Sequence, residues 1–169
     1  MRLLFIGDSL IEYYDWQERF SKHLVYNLGV AGETVEGLYA RLEVVFSQIE
    51  EADAVFIMTG INNLAMGDRR FLPAYRKIVK GFKEHYTPSR IFVHSLLPVL
   101  FPWISNDEIV KMNEELKKMA KEEDVVYFDI HTVFLEQEGR PVRDYLLDDG
   151  VHVSEKGYRV WAREIEKLL

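Results

Sequence analysis

The chain has 169 residues, 48% of them hydrophobic and 13% aromatic, which is enough to bury one sizeable core, so a single domain spanning 1–169 is expected. Its 28 acidic residues outnumber 21 basic ones for a formal charge of −7, and no run of basic residues appears, which argues against nucleic acid or an anionic membrane surface as a partner. Cysteine is absent, which excludes disulfides, thiolate catalysis and cysteine-based metal sites.

Taken in chain order, the opening "MRLLFIG" begins like a secretory leader, but Gly7-Asp8-Ser9 cuts its apolar stretch short, so residues 3–6 read as a first strand. Residues 23–28, 54–58, 90–96 and 125–130 are similar short runs rich in Val, Ile, Phe and Tyr, the composition of strands buried on both faces. Between them, residues 34–49, 72–85 and 107–123 have helical spacing, and a last helix is expected over 155–169. Ser105 and Glu108 form a capping box for the third helix, and Ser154 caps the fourth. Strand and helix in regular alternation predict an α/β fold with parallel crossovers and helices on both faces of the sheet. No linker, repeat or low-complexity tract divides the chain, and no run is long enough to span a membrane, so a soluble, cytoplasmic protein is expected.

Polar punctuation follows the strands. Gly7-Asp8-Ser9 ends the first, Asn27 to Gly32 follows the second, and Gly60-Ile61-Asn62-Asn63 follows the third. In a sheet of order 2-1-3-4-5, ligands bind at the carboxyl ends where strands one and three meet, so Ser9 and Asn62 can face one cleft. In "LLDDGVHVSEKGY", residues 146–158, Asp149 and His152 are spaced so that a carboxylate meets an imidazole within one helical turn. A serine hydroxyl needs a base to take its proton, the base needs an orienting carboxylate, and the oxyanion needs preset donors. The sequence offers Ser9 as nucleophile, His152 as base and Asp149 as its orienter. The Ser9 and Gly32 backbone N–H groups and the Asn62 amide serve as oxyanion donors, glycine allowing close approach of the backbone to substrate.

Other residues have plainer readings. His23 and His85 read as surface or helix-end residues, and His94 lies within a strand. Asp129 and His131 alternate onto one strand face, but two ligands without a third make no metal site, and neither metal nor cofactor is expected. A flavin domain would carry a Ser/Thr/Gly-rich phosphate loop after strand one, and a phosphoacceptor domain an Asp ending strand three; neither is present. A binding module that kept the fold and lost catalysis is the other rival, opposed by the intact set of reactive residues. An acyl-binding wall is expected from Leu10, Leu64, Leu97, Val99 and Val151.

The blocks Gly-Asp-Ser-Leu at 7–10, Gly32 within "NLGVAGET", "TGINN" with Asn62, and "DGVH" with Asp149 and His152 resemble, in order, those of SGNH hydrolases of the GDSL esterase/lipase family. The resemblance spans nearly the whole chain. It implies a flavodoxin-like, three-layer α/β/α sandwich with a five-stranded parallel sheet of order 2-1-3-4-5. It also implies hydrolysis of short-chain, acetyl-like esters through an acyl-serine intermediate, with acyl thioesterase or lysophospholipase activity as alternatives on the same fold. The partners implied are a small-molecule ester and, as an open alternative, a second copy of the chain in a homodimer. Asn63 departs from the pattern, since many family members carry Asp there. With "NLGVAGETVEGLYARLE" and "SLLP", the "GINN" form is similar to the branch containing the catalytic subunits of platelet-activating-factor acetylhydrolase.

Overall fold

The apolar runs assemble into one parallel sheet, seen in a computed structural model that describes residues 1–169. The elements in chain order are β1 (Arg2–Gly7), α1 (Ser9–Glu12), α2 (Trp16–Arg19), β2 (Leu24–Gly29), α3 (Val35–Ala40), α4 (Leu42–Gln48) and β3 (Ala54–Met58). They continue as α5 (Ile61–Ala65), α6 (Leu72–His85), β4 (Arg90–His94), α7 (Asn106–Glu122), β5 (Val126–Phe128), two 3-10 turns (Thr132–Phe134 and Arg143–Tyr145) and α8 (Glu155–Glu166). The five strands run parallel in the order β2-β1-β3-β4-β5, as the alternation of elements and the family resemblance imply.

Burial explains the strand composition. β1 and β3 are central, and Leu3 to Ile6 and Ala54 to Met58 are fully buried between helical layers. β2 and β5 lie at the edges and are half-exposed, so the expectation of burial on both faces fails for them. Phe5, Phe56 and Phe92 stack across the sheet with ring centroids 4.8 Å apart, and Trp16 covers Phe5 at 4.5 Å while meeting Trp161 of α8 at 5.3 Å. On α6, Tyr75, Ile78, Val79 and Phe82 recur at one-face spacing and are all buried, which is what drives that helix onto the sheet. No helix is long and apolar enough to cross a membrane.

The structure departs from the sequence reading at element ends. The helix expected over 34–49 breaks at Arg41, whose guanidinium takes the Glu33 carboxylate at 2.6 and 2.7 Å and the Leu28 carbonyl at 2.7 Å. β4 stops at His94 because the Leu96 N–H and carbonyl are taken by the Asn113 side chain of α7. Ser105 is the N-cap of α7 but its hydroxyl makes no capping bond, and Glu108 pairs with Arg69 instead of closing the box. Ser154 does cap α8, accepting the Gly157 N–H at 3.2 Å. The short helices α1, α2 and α5 are too brief for periodicity to reveal.

Candidate active site

The chain turns out of β1 at Asp8, whose buried side chain caps α1 by accepting the Leu10 N–H at 3.0 Å. Ser9 is therefore the first residue of a helix at the carboxyl edge of the sheet, and its Oγ lies 3.0 Å from His152 Nε2. On the other side of that ring, Nδ1 lies 2.6 Å from Asp149 Oδ2. The remaining Asp149 oxygen, Oδ1, accepts the backbone N–H groups of Val151 and His152, both at 2.9 Å. Asp149 and His152 thus meet across a tight turn, not across a helical turn as their spacing suggests, and the turn precedes α8. Burial alone would raise the Asp149 carboxyl, but the two N–H bonds and the imidazole hold it below the usual carboxylate range. A carboxylate kept ionised beside Nδ1 leaves Nε2 free to accept a proton from Ser9.

This turn rests on the segment after β4. The Leu100 N–H donates to the Gly150 carbonyl at 2.8 Å. A Cβ on Gly150, whose φ is +74°, would lie 2.8 Å from the Leu100 carbonyl carbon, so only glycine lets the two backbones meet. Tyr13, mostly exposed, stands against His152 with ring centroids 5.4 Å apart.

The second half of the site is the loop between β2 and α3. Gly32 has φ +76°, and no atom lies within 4 Å of where its Cβ would be, so conformation, not crowding, is what calls for glycine. The Gly32 and Ser9 N–H groups are bonded to no backbone or side-chain acceptor. Asn62, in the first turn of α5, donates one amide proton to the Glu33 carbonyl at 2.9 Å, and its other proton is left for a ligand. Glu12 of α1 accepts the Ala31 N–H at 2.7 Å, which ties the loop to the helix that begins with Ser9. The sequence reading did not single out Glu12, or the Glu33–Arg41 pair that braces this loop. Neither has a local pattern, since each joins elements that meet only in the fold.

Burial divides the residues of the expected acyl wall. Leu10, Leu64, Leu97 and Val99 are 2–3% exposed and belong to the core, because each faces inward from the element or segment that follows its strand. Val151 alone of the five is half-buried at the surface. Asp129 and His131 are absorbed locally. The Asp129 carboxylate accepts the Thr132 N–H and hydroxyl at 3.1 and 2.7 Å, while His131 is buried with its N–H on Ser95 Oγ at 2.7 Å. Burial lowers the His131 imidazole, and nowhere do three His, Asp or Glu side chains converge as metal ligands would.

Comparison with known proteins agrees in extent. Platelet-activating factor acetylhydrolase IB subunit alpha1 of Bos taurus is 25% identical over 173 residues, covering 99% of this chain and 74% of that protein. A solved structure from Streptococcus pneumonia, provisionally described as a platelet activating factor, superposes with a TM-score of 0.87 at 24% identity, over 98% of this chain and 82% of the other. Axe2, an acetylxylan esterase from Geobacillus stearothermophilus, superposes with a TM-score of 0.79 at 22% identity, over 98% and 92%. At these identities the two structures speak for the fold. Membership rests on the sequence profile described as the GDSL-like Lipase/Acylhydrolase family, which matches residues 5–160 and so takes in both the serine helix and the Asp149–His152 turn. The chain belongs to the GDSL-like lipase/acylhydrolase family and is an ester hydrolase.

Proposed function

We propose that the protein is a serine esterase that cleaves short, acetyl-like acyl groups from small-molecule esters through an acyl-Ser9 intermediate. The observation that carries this reading is the chain of contacts from Ser9 Oγ through the His152 ring to Asp149. His152 Nε2 takes the hydroxyl proton as Ser9 Oγ bonds to the ester carbonyl carbon, and the carbonyl electron pair moves onto oxygen. The Ser9 and Gly32 N–H groups and the Asn62 amide hold that oxyanion. Collapse expels the alkoxide, which takes the proton from His152, and water repeats the sequence to release the acid. Preference for a short acyl group is supported by the packing of Leu10, Leu64, Leu97 and Val99 into the core, which leaves each of them only 2–3% exposed to a substrate. It is supported too by the acetyl hydrolases among the similar proteins.

The test is a chain-length series of nitrophenyl esters run beside short acyl-CoA thioesters, with fluorophosphonate labelling of the parent and Ser9→Ala. kcat/KM should peak at acetyl or propionyl, and labelling should vanish in Ser9→Ala while the unfolding midpoint stays near the parent's. Labelling retained by the variant would remove Ser9 as nucleophile. A peak at long acyl chains, or on the thioesters alone, would overturn the substrate class.

A further inference from the structure

Asn63, next to the proposed oxyanion donor Asn62, is 2% exposed and has every side-chain polar atom engaged. Its Oδ1 accepts the Val35 N–H at 2.9 Å, where α3 begins. Its two amide protons go to two different carboxylates, Glu36 Oε2 at 2.8 Å and Asp68 Oδ2 at 3.0 Å. The backbone closes the same knot, since the Asp68 N–H donates to the Asn63 carbonyl at 2.8 Å and Asp68 Oδ1 accepts the Arg70 N–H at 2.9 Å. Asn62 and Asn63 therefore grip successive points of one segment, the Glu33 carbonyl and the Val35 N–H, immediately after Gly32.

We infer that Asn63 is a positioning residue that sets the distance between the Gly32 loop and the Asn62 amide, and that only a neutral amide can fill the position because it donates to two carboxylates at once. The inference rests on the reading of Gly32 and Asn62 as oxyanion donors. A carboxylate at 63 would still accept the Val35 N–H, but its second oxygen would face Glu36 and Asp68 as a third acceptor with no proton between them. In the parent the Arg70 N–H and the Asn63 amide hold the Asp68 carboxyl below its ordinary range, so Asp68 is an acceptor there, and the Arg70 N–H on its Oδ1 stays in place in the variant. Glu36 can turn to water, but the repulsion between 63 and 68 remains, and relieving it shifts residue 63 together with the Val35 N–H that it holds, which moves Gly32 relative to Asn62. This accounts for the departure noted in "TGINN": with Glu36 and Asp68 in place, the chain needs an amide where other family members carry an acid.

The experiment measures kcat and KM on nitrophenyl acetate for Asn63→Asp, for the exchange Asn63→Asp/Asp68→Asn, and for Asn62→Ala, with unfolding midpoints for each. Asn63→Asp should lower kcat on the order of ten- to a hundredfold with KM within about twofold, because a misplaced donor is felt in the transition state. The exchange keeps the formal charge and returns a donor to the contact between 63 and 68, while Glu36, exposed on its helix, can turn to water; most of kcat should return. Parent-like kcat in Asn63→Asp beside a crippled Asn62→Ala overturns the inference alone. Parent-like kcat in Asn62→Ala overturns the oxyanion reading beneath it. An exchange variant that folds and shows no recovery also overturns the inference. Should Asn63→Asp not fold, Asp68→Asn, on an outer loop, takes its place: a severalfold loss in kcat at constant KM supports the inference, and an unchanged kcat overturns it.

Discussion

Two histidines, one in a strand and one in a turn, show how surroundings decide what an imidazole can do. His152, half-buried at the carboxyl edge, has Ser9 Oγ on one nitrogen and Asp149 on the other. His94, the last residue of β4, is fully buried against Phe56, Phe128 and Trp161 at 5.8, 4.8 and 5.5 Å, and neither of its ring nitrogens has a hydrogen-bond partner. Burial without a countercharge pushes His94 down to about 3, so it stays neutral wherever the protein is folded. A carboxylate within reach, far more than the ring itself, separates a proton carrier from a core aromatic.

The sharpest way to break that comparison is to remove each ring in turn. His152→Ala should lower kcat/KM on the order of a millionfold, the scale seen when a triad base is lost, with little change in stability. His94→Phe should leave kcat/KM within about threefold, since it contacts none of the reacting groups and changes only packing. A dead His94→Phe beside an active His152→Ala would reverse the assignment. Next in size is Asp149→Asn, which keeps an oxygen for the Val151 and His152 N–H groups but loses the charge facing Nδ1. A loss on the order of ten-thousandfold in kcat is expected, and a loss under about tenfold would mean the carboxylate serves only to shape the turn.

These partnerships were unequally legible in the sequence. Ser9, Asn62, Asp149 and His152 stand in punctuation that follows strands, and strand order alone carries the first two to one edge. Parallel crossovers follow from alternation of short apolar runs with amphipathic segments, the strand order is what the family resemblance implies, and residues 54–58 and 72–85 have the boundaries the pattern predicts. What could not be read is long-range pairing. Arg41 breaks a continuous helical pattern because Glu33 and the Leu28 carbonyl draw its guanidinium away, and Leu97 and Val99 look like binding residues until the fold turns them inward. His94 reads only as a strand residue, because hydropathy does not say which rings pack against it from the neighbouring strands and from α8.

A smaller effect is expected from the support under the Asp149–His152 turn. Gly150→Ala introduces a Cβ 2.8 Å from the Leu100 carbonyl carbon and 3.0 Å from the Phe101 nitrogen, both backbone atoms that cannot swing aside, at a φ of +74°. Strain of about 1–3 kcal/mol should appear as a lower urea midpoint, and a shifted turn should reduce kcat/KM on the order of tenfold. A folded Gly150→Ala with parent kcat/KM would show that the position of His152 is independent of the segment after β4.

The last expected effect is one that the parent conceals. Asp8 is, like His94, fully buried, and its Oδ2 has no hydrogen-bond partner; burial raises its carboxyl to about 7, against the opposing pull of the Leu10 N–H and His152. A group whose folded value lies above its unfolded one holds its proton more tightly when folded, so Asp8 stabilises below pH 3.8 and this contribution is lost as pH rises to about 7. His94 has the opposite sign: its folded value of about 3 lies below the unfolded 6.5, so its contribution is full above pH 6.5 and lost as pH falls towards 3. Each slope amounts to about 4–5 kcal/mol across its window, and the windows overlap between pH 4 and 6.5, where the two nearly cancel. These two groups should therefore add little net slope to the parent's urea midpoints over that range. Asp8→Asn should unmask a stability that falls on acidification, and His94→Phe one that falls as pH rises. If both variants keep the parent's pH dependence, burial is not holding either group away from its ordinary value.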